Sequence, residues 1–107
     1  MFKTLTIDGK EIGFAANAAT PFRFKQTFKK DLFSILGNEE RAQNEGVETI
    51  TQLAYIMSKQ AEKADMAKLN EDDFIVWLED FSGMAFVENA EDILNIYMDS
   101  TIGTATP

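Results

Sequence analysis

The sequence contains no cysteine and no histidine among its 107 residues. Without cysteine the chain cannot form a disulfide, a thiolate metal site or a thiol nucleophile. Without histidine it lacks the most frequent metal ligand, the most frequent general base and any Ser-His-Asp triad. The composition therefore argues against most enzyme classes, and we expect no catalytic residue, no metal site and no cofactor.

Long apolar runs are also missing. No stretch approaches the about 20 apolar residues that span a bilayer. The first residues alternate between apolar and polar side chains and contain no apolar region typical of a secretory signal. We therefore expect a protein with no membrane partner that stays in the cytoplasm in which it is made.

Basic residues are scarce and unevenly distributed. The formal net charge is −8, and no basic residue follows Lys68. Residues 1–30 carry six basic and two acidic side chains, whereas residues 31–107 carry four basic and sixteen acidic side chains. An acidic surface repels phosphate backbones, so we expect no nucleic-acid partner. The basic beginning and acidic remainder favour head-to-tail association, which makes a homo-oligomer a further expectation.

The size and composition of the chain are typical of one globular domain. Hydrophobic residues make up 45% and charged residues 26% of a chain long enough to bury one core. We assign residues 1–99 to a single domain. Residues 100–107 are small, polar and without a pattern, and we predict a disordered tail there.

The first fifteen residues predict a β-hairpin. Residues 2–7 and 10–15 alternate between apolar and polar side chains on either side of Asp8-Gly9, a pair that favours a type I′ turn. A two-stranded hairpin is marginal alone in water, so its apolar face must lie on helices. The residues of that face are Leu5, Ile7, Ile12 and Phe14.

The rest of the chain predicts about four helices, because its apolar residues recur at helical spacing. Residues 38–46 are polar and predict a loop between the first and second helices. The predicted fold class is thus mainly α (α+β), with an N-terminal β-hairpin packed on a bundle of about four helices. The predicted helices cover residues 20–36, 47–66, 71–81 and a last stretch that begins at or near Asn89.

Four apolar residues fall away from the predicted core stripes: Phe22, Phe33, Tyr55 and Met66. Phe22 and Phe33 are eleven residues apart, which aligns them on one line of the predicted 20–36 helix. Two interpretations remain open. Such residues are either scattered surface positions, which all proteins have, or the contacts of a surface that binds a helix or a second copy.

Taken in order, several segments resemble the tail assembly chaperones of long, non-contractile-tailed (siphovirus-type) phages of Gram-positive bacteria. The likeness rests on the order of the segments and on the threonine-rich end, and it spans nearly the whole chain. The segments are TIDGKEI at 6–12, ATPFRFK at 19–25, KDL at 30–32, LAYIMSKQA at 53–61, DFIVWLEDF at 73–81 and ILNIY at 93–97.

The resemblance implies a protein that is not an enzyme. It implies a chaperone that binds and solubilises the long, helical tape measure protein while tail-tube subunits polymerise around it. Such a chaperone acts in the cytoplasm of the infected bacterial host and is absent from the mature virion. In this family a ribosomal frameshift near the end of the gene can produce a longer form that recruits the tail tube protein.

Rival interpretations stay open at this point. An acidic DNA mimic, or another small phage adaptor that inhibits or recruits a host protein, is the main alternative. The carboxylates here are spread over several helix faces and the first thirty residues are net basic, which does not favour a mimic. A small enzyme of unknown type is the other rival, and the sequence lacks its usual side chains.

Overall fold

A computed structural model describes residues 1–101, and residues 102–107 of the predicted tail lie outside the described residues. The predicted start of the tail at residue 100 is wrong, because Ser100 and Thr101 belong to the last helix. The Ser100 hydroxyl donates to the Tyr97 carbonyl at 2.5 Å, and the Thr101 hydroxyl donates to the Met98 carbonyl at 2.7 Å. Both bonds link a hydroxyl of the last turn to the carbonyl three residues before it, as expected inside a helix.

The fold is mainly helical with an N-terminal antiparallel β-hairpin, which confirms the predicted class. Within residues 1–101, four α-helices have eight or more residues, two are shorter, and a 3₁₀ turn spans Met66–Lys68. The elements are β1 (Phe2–Ile7), β2 (Lys10–Ala15), α1 (Thr20–Phe28), α2 (Leu32–Leu36), α3 (Glu39–Ala61), α4 (Glu71–Leu78), α5 (Ala85–Glu88) and α6 (Ala90–Thr101).

The hairpin forms as predicted. Strands β1 and β2 pair with Leu5 opposite Ile12, and the turn residues Asp8 and Gly9 have φ values of 55° and 77°. Positive φ at both positions is what a type I′ turn requires. On the predicted inner face, Ile7 and Phe14 are fully buried, and Leu5 and Ile12 pack at the edge of the core.

Helix α3 is the centre of the domain. It contacts β2 and all five other helices. Its second half is buried almost completely, with Leu53, Ala54, Ile56 and Met57 all at zero exposure. A continuous group of aromatic rings packs beside it, and neighbouring centroids lie 4.9–6.5 Å apart. These rings are Phe24, Phe28, Tyr55, Phe74, Trp77, Phe81 and Phe86.

The predicted 20–36 helix is two helices. Helix α1 ends where Lys29 adopts a left-handed backbone conformation with φ of 61°. The Asp31 carboxylate then accepts hydrogen bonds from Phe33 N at 3.0 Å and Ser34 N at 3.3 Å and begins α2. The Thr20 hydroxyl does not cap α1, because it is buried and donates to Gln60 Oε1 at 2.8 Å.

The predicted loop at residues 38–46 is the first part of α3. The Asn38 side chain accepts from Arg41 N at 3.0 Å, and Glu39 and Glu40 complement the positive end of the helix dipole. An ion pair between Arg41 and Glu45, 2.9 Å apart and four residues along, supports the first turns. Local capping therefore makes this polar segment helical without apolar periodicity.

Gly46 offers a direct test of this assignment, because it lies inside α3 and a Cβ added there meets no atom within 4 Å. Replacing Gly46 by alanine is expected to raise the free energy of unfolding by about 0.5–1 kcal/mol, since alanine loses less backbone entropy in a helix. Urea denaturation measures the change. A destabilised Gly46→Ala variant would contradict a helical backbone at this position.

Helix α3 ends at Ala61, not near Met66 as predicted, because Lys63 is left-handed with φ of 58° and turns the chain. Met66 therefore starts the 3₁₀ turn, which Asp65 caps through a hydrogen bond from Ala67 N at 3.3 Å. Met66 is half-buried against the core and is not part of α3. Its predicted placement on an exposed helical face is wrong.

The last two long helices begin where predicted. Asn70 Oδ1 accepts from Asp73 N at 2.8 Å at the start of α4, and α6 begins directly after Asn89. Val76 is exposed, and Ile93 of α6 faces the core. Among residues 1–101, no helix combines the length and the apolar character that crossing a membrane requires.

Candidate functional site

Phe22 and Phe33 lie on one surface. Their side chains are 72% and 58% exposed, and both line a hollow of about 300 Å³. A second hollow of about 260 Å³ also contains Phe33 and Tyr97, so the two adjoin. We call them together the Phe22–Phe33 surface. Its lining consists of Asn17, Ala18, Pro21, Phe22, Phe33, Leu36, Gly37, Tyr97, Met98, Ser100 and Thr101.

Three helices position this surface. Phe22 lies in the first turn of α1, whose other face is anchored in the core by Phe24. Phe33 lies in the first turn of α2, which the Asp31 carboxylate caps. The pKa of Asp31 is lowered below its ordinary 3.8, chiefly by the hydrogen bond from Ser34 N, so the cap is charged at neutral pH. The sequence prediction that Phe22 and Phe33 share a surface rested on one continuous helix, whereas two capped helices bring them together.

The floor of the surface is contributed by α6. Tyr97 is almost completely buried, and this burial raises the pKa of its hydroxyl above 10.0. Met98 is 45% exposed beside it. The lining contains no charged side chain. Exposed rings and a flexible methionine around an uncharged floor are suited to the apolar face of a helix, which anchors its side chains in hollows of this kind.

The Tyr55 side chain is buried, so its prediction as an exposed apolar residue is wrong, whereas its role as a partner contact stays a prediction. It is 1% exposed and lies edge-on to the rings of Phe28, Phe74 and Trp77, with centroids 6.3, 5.4 and 5.4 Å away. Its few exposed atoms line a hollow between the end of α3 and α4. Neither Tyr55 nor Met66 lines the Phe22–Phe33 surface.

A second apolar surface, which was not predicted, lies between the hairpin, the end of α3 and α4. Two hollows of about 510 and 460 Å³ share Trp77 and Asp80, and we call them the Trp77 groove. Phe2 of the hairpin and Val76 of α4 stand on its two sides, 65% and 62% exposed. Only the folded hairpin creates this groove, because one of its walls is formed by β1 and β2.

Polar contacts hold the two walls of the Trp77 groove together. The Asp8 carboxylate accepts from Ser82 N at 2.6 Å and from the Ser82 hydroxyl at 2.9 Å, which ties the hairpin turn to the segment after α4. Lys10 donates to the Asp80 carbonyl, and its ammonium lies 4.7 Å from the centroid of the Phe81 ring. The hairpin is therefore fixed against α4 at the end of the groove.

The Asp8 contact has a measurable consequence. The hydrogen bonds from Ser82, first from its N–H and then from its hydroxyl, lower the pKa of Asp8 below 3.8. Because the folded-state pKa is the lower one, the contact stabilises the fold above pH 3.8, and this contribution is lost as the pH falls through the folded-state pKa.

We expect an NMR titration of the Asp8 carboxyl carbon to give a pKa below 3.8. In the Ser82→Ala variant the pKa should rise part of the way back, since the backbone donor remains. A pKa at or above the ordinary value in the unsubstituted protein would contradict the contact.

Carboxylates are the metal-ligating side chains of residues 1–101, because the sequence contains neither histidine nor cysteine. No group of three or more acidic side chains in that part of the chain is arranged to hold a metal ion. Comparison of the chain with protein-family models, with curated proteins and with solved structures gives no match. A function for this chain must therefore be inferred from the two apolar surfaces and the charges around them.

Proposed function

We propose that the protein is a phage tail assembly chaperone that binds and solubilises the tape measure protein during polymerisation of the tail tube. The observation that carries the proposal is the Phe22–Phe33 surface. It exposes two large aromatic rings over an uncharged floor. Exposed apolar surface of this kind marks a binding site more often than chance exposure.

A tape measure protein is a long helical chain, and its apolar faces aggregate until the tube covers them. A chaperone for it needs apolar hollows that accept helix side chains, together with a charge that keeps the complex in solution. The Phe22–Phe33 surface provides such apolar hollows, and the net charge of −8 favours solubility of the complex. No chemical step is required of the chaperone.

The remaining parts of the proposal follow from the resemblance of the sequence. The protein acts in the cytoplasm of the infected host and leaves before the virion is complete. A longer, frameshifted form recruits the tail tube protein, and a homo-oligomer assembles along the tape measure. The uneven charge of the chain, basic at the start and acidic afterwards, is compatible with such stacking.

Co-expression with the tape measure protein of the same genome tests the proposal. We expect the tape measure protein to become soluble and to elute together with this chain from a size-exclusion column. Binding through an uncharged lining should persist at about 0.5 M salt, where charge interactions are screened. An insoluble tape measure protein beside a free, folded chain would overturn the proposal and favour a host protein as the partner.

A further inference from the structure

We propose that the Trp77 groove and the adjoining outer face of α4 bind a cationic amphipathic helix of another protein. This is a second interaction surface, independent of the Phe22–Phe33 surface and of the tape measure protein. It is distinguished from the first surface by its charge, because acidic side chains surround its apolar centre on α4.

The apolar centre consists of exposed residues of α4 beside the groove. Ile75 and Val76 are 52% and 62% exposed, and Trp77 lines both hollows of the groove next to them. Phe2 extends the apolar surface across the groove onto the hairpin. Phe74 and Trp77 supply the contacts of α4 with the aromatic core, so packing of α4 on α3 requires neither Ile75 nor Val76.

Carboxylates stand at both ends of this centre. Side chains three residues apart are neighbours on a helix, so Asp72 lies beside Ile75 and Asp73 beside Val76, while Glu79 and Asp80 follow directly after the helix. All four are exposed. The complement of this arrangement is an apolar stripe with a positive charge at each end. A helix with leucine-type residues on one face and lysine or arginine beside them carries such a stripe.

Three lysines line the hollows of the groove, and none of them pairs with these carboxylates. Lys59 pairs with Glu62 at 3.5 Å and Lys68 with Asp65 at 3.8 Å. Lys10 donates to a backbone carbonyl. The four flanking carboxylates of α4 form no ion pair within residues 1–101. Their negative potential is therefore available to a partner, and it repels nucleic acid and anionic membranes.

A second copy of the chain fits this groove less well than a separate helix. The basic helix of another copy is α1, which carries Arg23 and Lys25 but exposes a single large apolar residue, Phe22. Its other aromatic residues, Phe24 and Phe28, are buried in their own core. One ring does not match an apolar centre of three residues and a groove beyond it.

Trp77 is the only tryptophan of the chain and reports on the groove directly. The probe is a synthetic peptide of about five helical turns with leucine on one face and lysine beside it. We expect the Trp77 emission to shift to shorter wavelength on titration, and the Kd to rise at least tenfold between about 0.05 and 0.5 M salt. The Ile75→Ser/Val76→Ser and Glu79→Lys/Asp80→Lys variants should each weaken binding at least tenfold.

Phe22→Ser is the matched control and should leave the Kd unchanged. Circular dichroism checks that each variant folds, and the charge-reversal variant decides the result if the apolar one unfolds. Equal binding of a peptide with serine in place of leucine, or with glutamate in place of lysine, would overturn the proposal. So would unchanged binding in both variants, or a low-salt dimer of the chain itself that the charge reversal dissolves.

Discussion

Replacing Tyr55 by alanine is expected to lower the free energy of unfolding by about 3–5 kcal/mol, the range measured for large aromatic residues removed from protein cores. Tyr55 is 1% exposed and packs against Phe28, Phe74 and Trp77, so its removal leaves a cavity among rings that cannot all move into it. Small domains are stable by only about 5–15 kcal/mol, and the variant is therefore expected to be partly unfolded at 37 °C.

Urea denaturation followed by circular dichroism measures this loss, with Tyr55→Phe as the matched control. Phenylalanine keeps the three ring contacts, so the control should lie within about 1.5 kcal/mol of the unsubstituted protein. A Tyr55→Ala variant that keeps its stability but fails to bind a partner would contradict the structure and restore Tyr55 as a surface contact.

Replacing both Phe22 and Phe33 by serine is expected to leave the stability of the fold almost unchanged and to weaken binding of the partner. Both side chains are mostly exposed, and substitutions at such positions usually change stability by less than about 0.5 kcal/mol. Aromatic anchors at the centre of an interface each contribute about 2 kcal/mol or more, so binding of the tape measure protein should weaken at least about 30-fold. The soluble yield on co-expression should fall accordingly.

Val47→Ser is the matched control for the double variant. Val47 is 49% exposed on α3 and does not line the Phe22–Phe33 surface. The substitution removes a similar exposed apolar group elsewhere, so the Val47→Ser variant should bind the tape measure protein like the unsubstituted chain. Equal loss of binding in the control and the double variant would show that general surface hydrophobicity, and not this surface, is responsible.

The parts of the fold that local chemistry determines were predictable. The hairpin follows from alternation around Asp8-Gly9, because few residue pairs accept two positive φ values in succession. The start of α4 follows from the Asn70 cap and three acidic residues after it. In both cases the residues that set the backbone are adjacent in sequence, so no tertiary contact is needed to recognise them.

The predicted helix boundaries are wrong where polar residues determine where a helix begins or ends. The break at Lys29 contains neither proline nor glycine, and only the capping aspartate at Asp31 marks it in the sequence. The start of α3 was missed because apolar periodicity was used as the signal, although Asn38 and the Arg41–Glu45 pair were visible. Attention to caps and charge pairs would have found both boundaries.

The candidate site was only partly predictable, because exposure depends on what packs against a helix from elsewhere. Phe22 and Phe33 are exposed as predicted, although the single helix predicted to carry them is two helices. Tyr55 was misplaced because Phe74 and Trp77 of α4 pack on the side of α3 that carries it, which a single amphipathic stripe does not reveal. The Trp77 groove forms only where the hairpin meets α4. These elements are more than sixty residues apart in the sequence, as the Asp8–Ser82 contact shows.

The most direct test of the proposed chaperone function is to map the tape measure contact on the isotope-labelled chain by NMR. Amide and methyl signals are followed while a helical fragment of the tape measure protein is added. We expect the largest shifts at Phe22, Phe33 and Met98, at low and at high salt alike. Shifts confined to other parts of the chain, or none at all, would contradict the proposed function.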